Sequence, residues 1–289
     1  MRIIYDLDEM TETARGWLAG GTVGFVPTMG YLHQGHVTLM QAAHQECEIS
    51  VASIFVNPIQ FEEHEELIRY PRDLTRDLQL LSNAGIDVVF IPRVEDLYPP
   101  DFSTYVSPSN SPWAMQLAKG GGSLIYNRGV ATVITKLFHL VRPDVAYLGQ
   151  KNALQVAIIR QLVRDLNIDV ELRILPTVRE SDGLALGSRN HFLTAAERKA
   201  ASVIYSALLA GKALIDANVR NTAVIEKAMI DLLVTEPLVT LDDVKVCHPD
   251  TLSHLDSVAP GTMLLVAAHI GKIHLIDNII WFGGMNWKL

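Results

Sequence analysis

The chain of 289 residues is 49% hydrophobic and 19% charged, a balance that fits a folded globular protein and excludes a disordered one. Its formal net charge of −8 argues against a nucleic-acid partner, because a phosphate backbone calls for a basic surface. The two cysteines, Cys47 and Cys247, offer neither metal spacing nor a disulfide framework, the N-terminus lacks an apolar signal core, and no run approaches a membrane span, so a cytoplasmic protein is expected.

In chain order, Asp8 to Leu18 reads as a helix ending near Gly20-Gly21, and Thr22 to Val26 as a short buried strand. Pro27 has no ladder donor, so the strand is expected to stop there. Gly30 permits a sharp turn and Gly35 a close backbone approach, and the apolar spacing of Val37 to Ala43 predicts a helix opening at His36. Free amides at such a helix start suit a phosphate. His33 and His36, beside it, are candidate donors to developing phosphoryl charge. The competing reading, metal ligation, lacks a third ligand nearby, and the H-E-x-x-H pattern is absent.

Ile49 to Val56 is a second β-branched run that ends at Asn57-Pro58. Strands alternating with helices imply an α/β fold with a parallel sheet, whose ligands bind beyond the carboxyl ends of its strands. That rule places 28–36 and 57–61 at one edge. Asn57 and Gln60 carry amides suited to a polar substrate, although Asn57 alone also reads as a strand-end cap. Glu62 to Glu66 reads as an acidic solvated loop or lid, Asp73 to Ala84 as a helix ended by Gly85, and Asp87 to Ile91 as a third parallel strand. Pro99 to Ser123 is irregular and of the kind that covers a site, Gly129 to Val141 is an apolar helix, and Val145 to Leu148 a strand.

Gly149 to Gln155 opens a helix reaching about Leu166. Lys151 at that turn is placed to meet a phosphate, against the plain alternative of a surface lysine, with Gln155 one turn later on the same side. Val170 to Leu175 is the last strand of the first domain, and Arg189 offers a planar fork of donors to phosphate. Thr194 and Glu197 form a capping box for a long helix from Ala195 to Ala217, followed by a helix from Asn221 to Val234. Strands 241–246, 263–268 and 273–276 then suggest a small antiparallel sheet, and Trp281 to Leu289 carries no readable motif. The expected architecture is a Rossmann-like doubly wound parallel sheet domain over 1–178, followed by a smaller α+β domain over 179–289.

Pro27-Thr-Met-Gly-Tyr-Leu-His-Gln-Gly-His36 resembles the HxGH signature of the nucleotidyltransferase superfamily, and in its fuller form the pantothenate synthetase (pantoate–β-alanine ligase) family. Phe55 to Phe61, Tyr70-Pro-Arg72 with Asp77, Gly129 to Pro143, Asp182 to Asn190 and Gly271 to Asn278 extend the resemblance over nearly the whole chain. It implies condensation of pantoate with β-alanine through a pantoyl-adenylate, giving pantothenate, AMP and pyrophosphate, with no enzyme nucleophile. By that resemblance His33, His36, Lys151 and Arg189 hold the phosphates, and ATP is bound by these with Thr28, Met29, Gly149, Asn152, Val178, Gly187 and Ser188. Met29, Asn57, Gln60, Val130 and Gln155 bind pantoate, Asp77 helps bind Mg2+, and the chain pairs as a homodimer through its N-terminal domain.

The departures cluster. Asn152 replaces an aspartate, Gly187 a serine, and Ser123 to Gly129 replaces R-P-G-H-F-x-G, with Lys119 to Gly122 also differing. They motivate one alternative, a paralogous ligase joining another acid or amine, beside which a nucleotidyltransferase releasing a nucleotide conjugate and, on the retained phosphate residues, a non-catalytic nucleotide-binding protein stay open. They also motivate an expectation that adenylation outpaces the use of β-alanine.

Overall fold

The structure is a computed structural model that describes residues 1–17, 20–108 and 123–289. Leu18, Lys119 and most of the covering segment expected from Pro99 to Ser123 lie outside the described residues. The chain divides into two compact units. One gathers the described residues up to 108 with 123–149 and 158–175, and the other gathers 150–157 and 176–289. A single cut at 178 does not capture the assignment of 150–157.

In the first unit the elements run β1 (Arg2–Ile4), α1 (Leu7–Trp17), β2 (Val23–Thr28), α2 (Gln34–Glu46), β3 (Ile49–Ile54), α3 (His64–Arg69), α4 (Leu74–Asn83), β4 (Val88–Phe90), α5 (Val94–Leu97), α6 (Leu124–Val141), β5 (Val145–Gly149), α7 (Ala153–Asp165) and β6 (Glu171–Leu175). The six strands form one parallel sheet in the order β1-β4-β3-β2-β5-β6. The order reverses between β2 and β5, the kind of switch point where doubly wound sheets hold ligands. Val26, Leu32, Met40, Ala52, Leu81, Val89 and Tyr147 form a core against one face.

Several boundaries differ from the sequence expectations. β1 was not anticipated, since three residues give too short a run to show a period. β2 continues through Pro27 to Thr28. Along β2 the carbonyls of Thr22 and Thr28 accept from β3-side amides, while that of Val23 accepts from Asp144. By that alternation Pro27 faces β5, whose pairing with β2 ends at Phe25 opposite Ala146, so the missing donor breaks no bond. The acidic stretch after Glu62 winds into α3 instead of remaining a loop. Helix α6 starts five residues before Gly129, because the Ser123 hydroxyl accepts from the Tyr126 amide and caps it.

In the second unit α8 (Ala195–Ala200), α9 (Val203–Asp216) and α10 (Thr222–Leu233) precede β7 (Val239–Cys247), β8 (Thr262–Ile270), β9 (Ile273–Gly283) and β10 (Asn286–Lys288). The strands form an antiparallel sheet in the order β10-β9-β8-β7. Ile204, Leu208, Met229, Leu264, Val266 and Ile279 lie in the core between sheet and helices. The capping box of Thr194 and Glu197 is present, but the long helix expected after it is two. It breaks at Ala201-Ser202, where the Ile204 amide reaches back only three residues to Ala201. The motif-free tail closes the sheet as a hairpin, with the Trp281 indole donating to the Gly284 carbonyl at 2.9 Å.

Candidate active site

The turn between β2 and α2 carries both histidines. Helix α2 opens at Gln34 rather than at His36, and His33 is its N-cap. The Gly35 amide donates to His33 Nδ1 at 3.1 Å, and the His33 amide donates to His36 Nδ1 at 3.3 Å. The rings lie 4.0 Å apart between centroids. A backbone amide is always a donor, so both Nδ1 atoms are acceptors, and each neutral imidazole carries its proton on Nε2. Several of the amides expected to be free at this turn are engaged within the protein. The Gly30 amide donates to Thr28 Oγ1, those of Tyr31 and Leu32 to Asp77, and that of His36 to the His33 carbonyl. The turn thus carries a pair of imidazole Nε2–H donors.

Asp77 is 1% exposed and sits in the first turn of α4. Its Oδ2 accepts from Tyr31 at 2.7 Å and its Oδ1 from Leu32 at 2.8 Å. Burial raises its pKa, and the two amide bonds pull it back down. A cleft of about 380 Å³ opens beside it at the carboxyl ends of β2, β3 and β4, with Met29, Tyr31, Ile54, Arg72 and Ile91 in its walls. Among the described residues no group of three or more metal-binding side chains is assembled.

After β3, Asn57 is 1% exposed, and its amide is engaged within the protein. Its Nδ2 donates to Gln60 Oε1 at 3.0 Å and to the Gly129 carbonyl at 3.1 Å, while its Oδ1 accepts from the Tyr98 hydroxyl at 2.9 Å. Gln60 Nε2 in turn contacts Met29 Sδ at 3.0 Å. The structure thus brings Met29, Asn57 and Gln60 together beside α6, where Val130 is buried. Asn57 braces Gln60 instead of offering an open amide. Gly129 makes this possible, since a Cβ there would lie 2.5 Å from the Gln60 Cα.

The second unit holds the other candidates. Lys151 is partly buried, and its ammonium turns onto the carbonyls of Ala185 at 3.2 Å and Leu186 at 2.8 Å. Burial lowers its pKa to about 8, with Arg189 and Arg179 pushing the same way against Asp277. Those carbonyls belong to a hairpin-like loop in which the Leu186 amide donates to the Val178 carbonyl at 2.9 Å and Arg179 bridges Ala185. Gly187 follows and precedes a 3-10 turn, Ser188–Phe192, that exposes Arg189. A Cβ at Gly187 would collide with the Lys151 ammonium. Asn152 accepts from the Gln155 amide and donates to the Gln155 side chain, each at 3.3 Å, so it closes the first turn of α7.

Sequence reasoning missed the residues that hold this loop. Asn278 is fully buried, and its Nδ2 donates to the carbonyls of Gln150 at 3.0 Å and Lys151 at 3.1 Å. The adjacent Asp277 takes both nitrogens of the Arg179 fork, at 2.5 and 3.0 Å. The available signal was an Asp-Asn pair set inside the apolar run Leu275 to Ile280.

The family described as pantoate-beta-alanine ligase matches residues 2–280. The chain belongs to the pantoate–β-alanine ligase family. It is 48% identical over 279 residues to the pantothenate synthetase of Chloroflexus aggregans, covering 96% of this chain and 99% of that one. The crystal structure of the Thermus thermophilus enzyme superposes with a TM-score of 0.88 at 41% identity, over 96% of this chain and 98% of that one. The Francisella tularensis ligase, solved with β,γ-ATP and β-alanine, superposes with a TM-score of 0.78 at 29% identity over 97% of each chain. These matches do not favour the paralogous ligase or the nucleotidyltransferase left open by the sequence.

Proposed function

We propose that the chain condenses pantoate with β-alanine at the cost of ATP, with the residues above in defined roles. The pantoate carboxylate attacks the α-phosphorus and pyrophosphate leaves. The β-alanine amine then attacks the acyl carbon of the adenylate, giving the amide and AMP. No enzyme nucleophile takes part, so the residues act by placing reactants and stabilising charge. The observation that carries this reading is the reciprocal histidine cap. It commits both Nδ1 atoms to backbone amides and so fixes His33 and His36 as Nε2–H donors, suited to the oxygens of the reacting phosphates.

Lys151 and Arg189 are the proposed phosphate cations. Thr28, Met29, Gly149, Asn152, Val178, Gly187 and Ser188 are proposed to line the nucleotide. Gln60 and Gln155 orient the acid, Asn57 acts through Gln60, and Met29 and Val130 are apolar walls.

Magnesium enters this proposal as the counter-ion of ATP, where it would neutralise phosphate charge. Asp77 fits poorly as its direct ligand, because it is 1% exposed, each of its oxygens already accepts a backbone amide, and among the described residues no further metal-binding side chains gather beside it. A homodimer through the first unit is also proposed, on the family resemblance. A cytoplasmic location is proposed on the two unpaired thiols and the need for ATP.

The reading is tested by ATP–pyrophosphate exchange with pantoate and by AMP release on adding β-alanine. Exchange that depends on pantoate and AMP release that depends on β-alanine support it. Adenylation without the pantoate hydroxyl being needed would remove Gln60 and Gln155 from the acid pocket.

A further inference from the structure

We infer that Asp77 is a positioning residue that sets the histidine turn, not a holder of the nucleotide's metal ion. The inference rests on the phosphate-donor role proposed above for His33 and His36. Three observations on one segment carry it. First, the two oxygens of Asp77 take consecutive amides, Tyr31 and Leu32, immediately before the N-cap His33. Second, the backbone it grips is one that needs holding. Gly30 has φ 77° and Tyr31 φ 48°, so two successive residues are left-handed, and the second of them is a tyrosine. Two amides converging on one carboxylate offset that cost and lock the direction in which the chain enters α2. Third, the downstream bonds depend on that direction. The His33 amide follows Leu32 directly and makes the bond that fixes His36 Nδ1. Asp77 on α4 thus acts on the phosphate donors through the chain: carboxylate, two amides, N-cap, then the N3 imidazole.

The alternative, direct metal ligation, would have to use a remaining lone pair on an oxygen that already accepts an amide, from a side chain that is 1% exposed. Its neighbour Arg76 also sets a guanidinium 5.4 Å from the Tyr31 ring, so cationic charge already occupies that flank.

Asp77→Asn keeps the shape but replaces one acceptor by a donor facing an amide. Exchange is expected to fall by tenfold or more, with the half-saturating Mg2+ concentration unchanged. The 15N imidazole signals of His33 and His36 should shift from the pure Nε2–H pattern toward a mixture of tautomers. A raised half-saturating Mg2+ concentration with recovery at high Mg2+, and unchanged histidine signals, would overturn the inference in favour of ligation. So would a loss that merely follows the folded fraction.

Should the variant not fold, the wild-type protein decides. Amide hydrogen exchange at Tyr31 and Leu32 should stay slow both without ligand and with Mg2+ and ATP. Release of either amide on adding Mg2+ with ATP would overturn the tether. Absence of pantoate-dependent exchange in the wild type would sink the functional reading instead, and the amide measurement would stand apart from it.

Discussion

The turn after β2 and the turn after β5 are both strand-to-helix connections, yet they are held in opposite ways. The first is closed almost entirely by its own residues. Thr28, His33 and His36 cap amides within the turn, and Asp77 braces it from α4. The second is held by residues far along the chain. Lys151 is bonded to Ala185 and Leu186, and its carbonyl to Asn278. A locally closed turn announces itself as a motif, whereas a remotely held one leaves only a lysine in a short string. The comparison also separates consequences: damage to the first turn should strike chemistry, and damage to the second should strike charge and pH response.

The largest expected effect breaks the locally closed turn. His36→Ala removes one proposed phosphate donor and the acceptor that fixes the His33 amide. A positioned donor to developing charge is worth about 3 kcal/mol, so exchange should fall by about a hundredfold or more. Circular dichroism and thermal unfolding should show a folded protein. Exchange at the wild-type rate by folded His36→Ala would remove the imidazole from the mechanism.

Next comes the brace on the acid side. Gly129→Ala places a methyl group 2.5 Å from the Gln60 Cα, where the contact is backbone and has little room to yield. Overpacking of this kind costs about 1–3 kcal/mol, and Gln60 should move off Met29. Denaturant unfolding should report the loss of stability, and the KM for pantoate should rise severalfold more than that for ATP. Equal changes in both would mean that Gln60 does not orient the acid.

The first of these predictions concerns a turn that the sequence displayed well. The α/β class and the parallel strands followed from apolar runs punctuated by Gly and Pro, and the turn between two such elements made His33 and His36 candidates, with the whole string around them as the specific signal. The β2 end did not, because whether Pro27 breaks a ladder depends on which neighbour it faces. The role of Asp77 was hidden because an aspartate in a helix's first turn looks like charge for the helix dipole, and nothing local reveals its two amide partners. The Asn278 brace was hidden for a similar reason: its partners lie about 130 residues away, beyond any periodicity. Asn57 was legible as important, but its burial decided that it supports a neighbour.

A smaller effect should appear in the pH response of the remotely held turn. Lys151 has a folded pKa of about 8, below its ordinary value near 10.4. The folded state therefore gives up this proton first, so between about pH 8 and about pH 10.4 stability should rise with pH. Below that window both states are protonated, and the group adds no pH dependence. The phosphate role proposed for Lys151 needs the cation, so exchange should decline as pH rises through about 8. Lys151→Met should lower exchange by about tenfold and flatten that decline. A decline that persists unchanged in Lys151→Met would assign it to another group.

The smallest expected effect, and the sharpest probe of the comparison, is Gly187→Ser. Serine is the residue that the family string carries at this position, and here its Cβ would occupy the place of the Lys151 ammonium. The lysine is the flexible partner, so it should yield, leave the carbonyls of Ala185 and Leu186, and regain water. Desolvation is the main cause of its lowered pKa, and resolvation should raise that pKa toward the ordinary range. The alkaline decline of exchange should then move to higher pH, with a change of only a few fold in rate at pH 7. Titration of the 15N-labelled lysine should follow the same shift. If the profile of Gly187→Ser overlays that of the wild type, the glycine does not govern where Lys151 rests. The second turn would then owe its pH response to the Asp277, Arg179 and Arg189 charges around it.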